Sequence, residues 1–183
     1  MWTDLMIDLE SAGLPPNGAI MSIGACFFDI AKCEIGPTFK KNIQLATAVR
    51  DGGVMEPSTI LWWLQQSDEA RRSTIFDTYD NRKVLAEFRE FIAEHSDEKD
   101  VRPWGNSSSF DMTLLNSAYI RIGEKAPWRF YNERCFRTVR NMYPSVEYNP
   151  DDKGGGAHNA LTDAIFQAQH LFKIKNRNAR KQD

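Results

Sequence analysis

Among 183 residues there are only three cysteines, Cys26, Cys33 and Cys135. That odd count, without zinc-type spacing, excludes a disulfide framework and a thiolate–histidine metal cluster, and it favours reduced, structural thiols. No apolar run approaches the ~18 residues of a membrane span, and the first residues lack the basic, long-apolar, small-residue order of a secretory leader, so the expectation is a cytoplasmic protein with no membrane partner. An excess of one charge is missing too. With 25 acidic and 23 basic residues, the surface is not uniformly basic, and a polyanion has to be gripped by a local site. Nor does the chain lack apolar residues, as a disordered one would: 42% are hydrophobic and 11% aromatic. A length of this order suits a single domain with an ample core.

What the chain does have is an apolar run, Leu5-Met6-Ile7-Asp8-Leu9-Glu10, that carries two acids one residue apart. A strand over residues 3–10 points alternate side chains to one face, so Asp8 and Glu10 project together while Ile7 and Leu9 point the other way. Two carboxylates placed like this repel each other and lose hydration unless protons, cationic side chains or a metal ion compensate them. A divalent cation is the simplest answer. Two further acids have distinctive neighbours: Asp111 follows Asn106-Ser107-Ser108-Ser109-Phe110, and Asp163 lies in His158-Asn159-Ala160-Leu161-Thr162-Asp163-Ala164. Four carboxylates suit hard cations such as Mg²⁺ or Mn²⁺, and two ions are the natural count. Taken alone, Asp111 is better read as an acid in the first turn of a helix.

The remaining pattern is α/β. A turn-rich segment, 11–18, separates the first strand from a second over 19–30, and a third covers 37–45, giving an antiparallel or mixed three-strand start. Gly13 in that turn would let backbone approach a substrate, the alternative being a plain loop. After Gly52-Gly53, Pro57 suits the first turn of a helix, and Ser67 with Asp68 and Glu69 starts another. Trp62 and Trp63 are adjacent on that first helix and face about 100° apart, so one pocket is not expected to hold both. One belongs to the core, and the other, with Trp62 the candidate, is a stacking surface for a base or a packing residue.

An amphipathic helix over 80–95 carries Val84, Leu85, Phe88, Phe91 and Ile92 on one stripe, with His95 at its polar end as a surface residue. Residues 101–104 form a further strand, and a helix ended by Gly123 carries Leu114, Leu115, Ala118, Tyr119 and Ile122. Residues 134–142 read as a helix with Arg134, Arg137 and Arg140 on one face, either meeting phosphate or facing solvent. A glycine-rich loop over 148–156 leads into a last helix opened by His158, with Ala157, Leu161, Ala164, Ile165, Ala168, Leu171 and Phe172 as its buried stripe and His170 as packing or surface. The domain spans 1–175. Residues 176–183 form a basic tail, read as a solvated helix end.

The order Asp8-x-Glu10, then Phe110-Asp111, then His158-x-Ala160-x-x-Asp163-Ala164 resembles the three exonuclease motifs of the DEDD superfamily in its histidine-bearing branch. The resemblance spans positions 8–164. It implies a ribonuclease-H-like fold: a mixed sheet with a three-strand meander start, then strands alternating with helices, flanked by helices. It implies metal-dependent removal of nucleotides one at a time from the 3′ ends of nucleic acid. In that scheme Asp8, Glu10, Asp111 and Asp163 hold two ions across one in-line displacement, and His158 is the general base, a role open to an imidazole at neutral pH.

Gly52-Gly53-Val54, Leu61-Trp62-Trp63-Leu64 and Trp104-Gly105-Asn106 look like a subgroup of short phage and bacterial 3′-to-5′ exonucleases, some associated with RNA and others with DNA. The phage-like character leans to DNA by association. Ser11 stands where the wider family usually has a threonine that touches the terminal nucleotide, and it keeps the hydroxyl. Asn106 is a further substrate contact, although relatives place histidine and asparagine where this chain has serines. An exposed tryptophan face and the precedent of dimers in the superfamily favour a homodimer. The competing readings are an exoribonuclease of the same fold, a phosphohydrolase of small nucleotides, and a catalytically silent binding module. The completeness of the four acids and the histidine weighs against the last.

Overall fold

In the computed structural model, which describes residues 1–107, 109–149 and 158–179, the alternation along β1 (Asp4–Ser11) sends its side chains into two separate cores. Leu5, Ile7 and Leu9 enter one and Met6 the other, which places Asp8 and Glu10, in phase with Met6, on the second face. β2 (Ile20–Asp29) pairs antiparallel with β1, and β3 (Glu34–Ile43) antiparallel with β2. β5 (Arg102–Gly105) lies parallel to β1 and β6 (Arg134–Cys135) parallel to β5, while β4 (Thr78–Tyr79) runs parallel to β3 at the far edge. The order across the mixed sheet is β4-β3-β2-β1-β5-β6, the expected meander followed by strands alternating with helices.

Among the described residues seven α-helices flank this sheet: α1 (Leu45–Arg50), α2 (Pro57–Leu64), α3 (Asp68–Ile75), α4 (Asn81–His95), α5 (Asp111–Arg121), α6 (Phe136–Met142) and α7 (Ala160–Ala179). Their starts follow from local chemistry. Pro57 opens α2, the Ser67 hydroxyl accepts from the Ala70 amide at 3.2 Å, and Asp80 accepts from the Arg82 amide at 2.9 Å. α4 and α5 bury Val84, Leu85, Phe88, Leu114, Leu115 and Tyr119 against the first face, and α6 and α7 bury Phe136, Ala164, Ala168 and Leu171 against the second. Burying each large apolar side chain contributes roughly 1.5–3 kcal/mol. Tyr119 satisfies its hydroxyl by donating to the Leu85 carbonyl at 2.9 Å.

Gly24 controls how α7 meets the sheet. It sits on β2 directly opposite Asp8, and a Cβ at this position would fall 2.1 Å from the backbone of Ala160 and Leu161. The first turn of α7 therefore lies against bare strand backbone, beside the acids of β1.

Several local expectations are corrected. The third strand begins at Glu34, and β4, β6 and α1 are too short to leave a readable period. Arg134 lies in β6, so the three arginines do not share a helix face. His95 is half-buried, its ring edge-on to Phe91 at 5.1 Å and Phe27 at 5.8 Å. α7 starts at Ala160, because Asn159 caps it by accepting from the Thr162 amide at 3.3 Å, and His158 precedes it with a positive φ of 59°. α7 continues to Ala179, in line with the reading of the basic residues as a helix end, and Lys175 donates to the Ala31 carbonyl at 2.6 Å. The expected loop from 150 onward, Ala157 and residues 180–183 lie outside the described residues. The three cysteines are free thiols, and burial pushes Cys26 up to about 12, which makes it unreactive. Among the described residues no helix is long and apolar enough to cross a membrane.

Candidate active site

Asp8 and Glu10 leave β1 toward the start of α7, where Asp163 occupies the first turn. One carboxylate oxygen from each of these three residues lies within 4.8 Å of the others. Asp111 approaches from the other side as the first residue of α5. Its Oδ2 accepts from the Asn106 amide at 3.1 Å, and a Cβ on Gly105 would stand 2.8 Å from that oxygen, so the glycine admits the carboxylate. Gln167, one turn further along α7, donates from Nε2 to Asp8 Oδ1 at 2.8 Å.

The acids form the floor of a cavity of about 580 Å³. Its walls are Trp62 and Trp63 of α2, His158, Ser11 at the end of β1 and Leu14 beyond it, Asn106 and Phe110 before α5, and Arg140 with Tyr148. A smaller cavity of about 240 Å³ shares Asp8, Leu9, Asn106 and Phe110 and adds Ser107, Asp111 and Arg137. Asp8 thus lines both cavities, with Glu10 and Asp163 on one side of it and Asp111 on the other.

His158 is clasped by the two indoles, its ring edge-on to Trp62 at 4.8 Å and to Trp63 at 5.9 Å. The Ser73 hydroxyl donates to its backbone carbonyl at 2.9 Å, and Asn42 of β3 ties down the Ser73 and Phe76 carbonyls at 2.9 and 2.8 Å. Trp63 is 6% exposed and donates from Nε1 to the Ser11 carbonyl at 2.8 Å, whereas Trp62 is 42% exposed. Both nevertheless line the same cavity, against expectation: with 100° between them, one indole forms the wall from below and the other from the rim.

Burial dominates the floor, and charge repulsion adds to it at Asp8. Burial holds the Asp8 carboxyl well above the usual range, and Asp111, Glu10 and Asp163 add to this, with the Gln167 amide pulling the other way. Burial pushes Asp111 up to about 6, opposed by backbone hydrogen bonds from Asn106, Asp111 itself and Leu9 and by the Arg137 charge. A cluster built only from carboxylate oxygens, in which Asp8 and Asp111 are pushed toward their protonated forms, fits hard divalent cations.

Of the expected substrate contacts, Ser11, Asn106 and Trp62 line the cavity. Gly13 is not among the lining residues; its Cα faces the Val54 carbonyl, where a Cβ would approach to 2.4 Å, so it serves backbone packing, and Leu14 takes the place at the wall. Gln167 and Tyr148 were not legible as site residues: Gln167 reaches Asp8 only because α7 packs on β1, and Tyr148 is placed by its ring contacts with Phe166 and His170 of α7. Arg137 and Arg140 carried a weak signal as basic residues one turn apart.

A family model described as the 3′-5′ exoribonuclease Rv2179c-like domain matches residues 3–175. The chain belongs to this family. It is a 3′-5′ exonuclease, and all five acid and histidine positions fall inside the match. A curated relative, an exodeoxyribonuclease of Enterobacteria phage T4, is 24% identical over 158 residues, covering 74% of this chain and 69% of the phage protein. Among solved structures, E. coli exonuclease I in complex with a dT13 oligonucleotide superimposes with a TM-score of 0.69 at 17% identity, covering 98% of this exonuclease and 42% of that chain. The nuclease domain of 3′hExo, a DEDDh family member bound to rAMP, gives 0.62 at 14% identity, covering 95% and 92%. These likenesses establish the ribonuclease-H-like fold.

Proposed function

We propose that this exonuclease hydrolyses the terminal phosphodiester of single-stranded or 3′-overhanging nucleic acid and releases nucleoside 5′-monophosphates. The observation that carries the reading is the convergence of Asp8, Glu10 and Asp163 within 4.8 Å at the floor of a cavity walled by two indoles. Asp8, Glu10, Asp111 and Asp163 would hold two Mg²⁺ or Mn²⁺ ions, which would supply positive charge to the attacking and leaving oxygens of an in-line displacement. His158, at the rim beside those acids, takes the proton from the attacking water. Trp62 stacks the terminal base, while Ser11 and Asn106 meet its sugar and phosphate.

The two comparisons divide on the sugar: the family description names RNA and the phage relative DNA. The deciding experiment is digestion of matched single-stranded DNA and RNA oligomers, labelled at either end, with Mg²⁺, Mn²⁺ or chelator, alongside Asp8→Ala and His158→Ala. Stepwise shortening from the 3′ end, abolished by chelator and by Asp8→Ala and slowed at least ~100-fold by His158→Ala, is expected, and the faster polymer gives the sugar preference. Intact oligomers under every metal would overturn the reading. Light scattering tests the companion proposal of a homodimer. The free thiols agree with a cytoplasmic location, which fractionation of the source cell tests.

A further inference from the structure

A second, small cavity lies on the far side of Asp8 and shares Asp8, Leu9, Asn106 and Phe110 with the large one. The large one, about 580 Å³ with an apolar and aromatic wall, is sized for a base and sugar. The small one, about 240 Å³ and lined by Asn106, Ser107, Asp111 and Arg137 together with Asp8, Leu9 and Phe110, is less than half that volume, too small for a second nucleoside beside the first. It opens onto the same acid floor, through the shared Asp8 and Asn106. A strand whose last nucleotide fills the large cavity and whose scissile phosphate lies over Asp8 can carry its next phosphate past Asp8 into the small cavity, beside Asp111 and Arg137.

Charge balance then asks for a cation. The acids and their ions serve the scissile phosphate, and the next phosphodiester brings a further negative charge toward a cluster that already repels itself. Arg137 is the basic residue of the small cavity. It is exposed, projects from the first turns of α6, and makes no hydrogen bond or ion pair of its own among the described residues. Its charge reaches Asp111, where it favours the ionised carboxylate, and its side chain lines the small cavity beside that acid.

We infer that Arg137 binds the phosphodiester one nucleotide upstream of the scissile bond, and that the small cavity is the subsite for that phosphate. This deepens the exonuclease reading and rests on it. Arg137 is accordingly a specificity residue for substrates of at least three nucleotides, and a dinucleotide does not use it.

The test is a cycle crossing Arg137→Gln with a neutral linkage. The substrates are a trinucleotide of thymidine or uridine, whichever the wild type degrades, and the same trinucleotide with a methylphosphonate at the second linkage from the 3′ end. Release of the terminal mononucleotide is followed in Mg²⁺. For the wild type, neutralising that linkage is expected to lower kcat/KM about ten-fold, carried mainly by KM, and Arg137→Gln is expected to lower it about ten-fold on the natural substrate. On the neutral substrate, Arg137→Gln should cause no additional loss, and Arg137→Lys should recover part of the natural rate. Independent losses that multiply, a wild type indifferent to the neutral linkage, or an equal drop on dinucleotides would each overturn the assignment; the last would mean that Arg137 acts through Asp111. A wild type with no turnover of any substrate would instead sink the exonuclease reading itself.

Discussion

Gln167 Nε2 donates to Asp8 Oδ1 at 2.8 Å, joining α7 to β1 at the centre of the acid cluster. The amide is 2% exposed, so no water can replace it readily. Gln167→Leu removes a donor that favours the ionised form of Asp8, and with it part of the site's attraction for a cation. The Mg²⁺ concentration for half-maximal activity should rise roughly 10-fold, with the rate at saturating Mg²⁺ much less affected. An unchanged Mg²⁺ midpoint would reduce Gln167 to a packing role.

Chelated protein should lose stability as pH rises, the reverse of an ordinary salt-bridged carboxylate. Folding raises Asp8 and Asp111 above their usual 3.8, Asp111 to about 6. Their contribution is fully present below the unfolded value and is lost as pH climbs through the folded one. In chelator the melting temperature of the wild type should therefore fall between about pH 4 and pH 7 relative to Asp111→Asn. Saturating Mg²⁺ at pH 7 should restore it, because the ion binds only the folded state. Calorimetric melts with and without chelator read this directly.

Asp51 shows the opposite sign, far from the site. Its carboxylate accepts from Arg50 at 3.0 and 3.2 Å, from Asn81 at 3.0 Å and from Arg82 at 3.1 Å, and these partners, Arg50 foremost, hold it down at about 2. The stability it contributes is present above the unfolded value and disappears as pH falls through the folded one. Because both arginines are half-exposed, the loss on Asp51→Asn at pH 7 is moderate, roughly 1–3 kcal/mol. Denaturant titrations should show that difference closing as pH falls toward 2.

The adjacent tryptophans should separate cleanly. Trp62→Ala removes an exposed stacking face, so KM should rise about ten-fold or more while the melting temperature barely moves. Trp63→Ala leaves a buried void and an unpaired Ser11 carbonyl, at roughly 3–5 kcal/mol of stability. Steady-state kinetics and thermal melts on both variants make the comparison.

The period of two in β1 was enough to place Asp8 and Glu10 on one face, and the apolar stripes of α4, α5 and α7 placed the layers. Asp111, ambiguous as a helix-start acid, owes its position to the Asn106 amide and to the space left by Gly105, neither of which has a pattern in the chain. The shared wall of Trp62 and Trp63 was misread because a helical wheel gives direction but not the width of a cavity. Gln167 was silent for a similar reason: a buried amide on an apolar stripe looks like a packing residue until the strand opposite it is known to carry an acid. The two-residue strands β4 and β6 exist only through their neighbours, since nothing so short can hold a period.

The closeness of α7 to β2 at Gly24 means that the gap between the strand acids and Asp163 is gauged by main chain touching main chain. No rotamer can widen or narrow such a gap; its tolerance is that of van der Waals radii. The spacing on which the chemistry depends is thus written in a residue without a side chain, on a strand that contributes none of the residues lining the two cavities. A methyl group added there would move Asp163 and His158 together while leaving every charge in the protein unchanged. A screen for inactive variants would then rank this glycine beside the acids themselves.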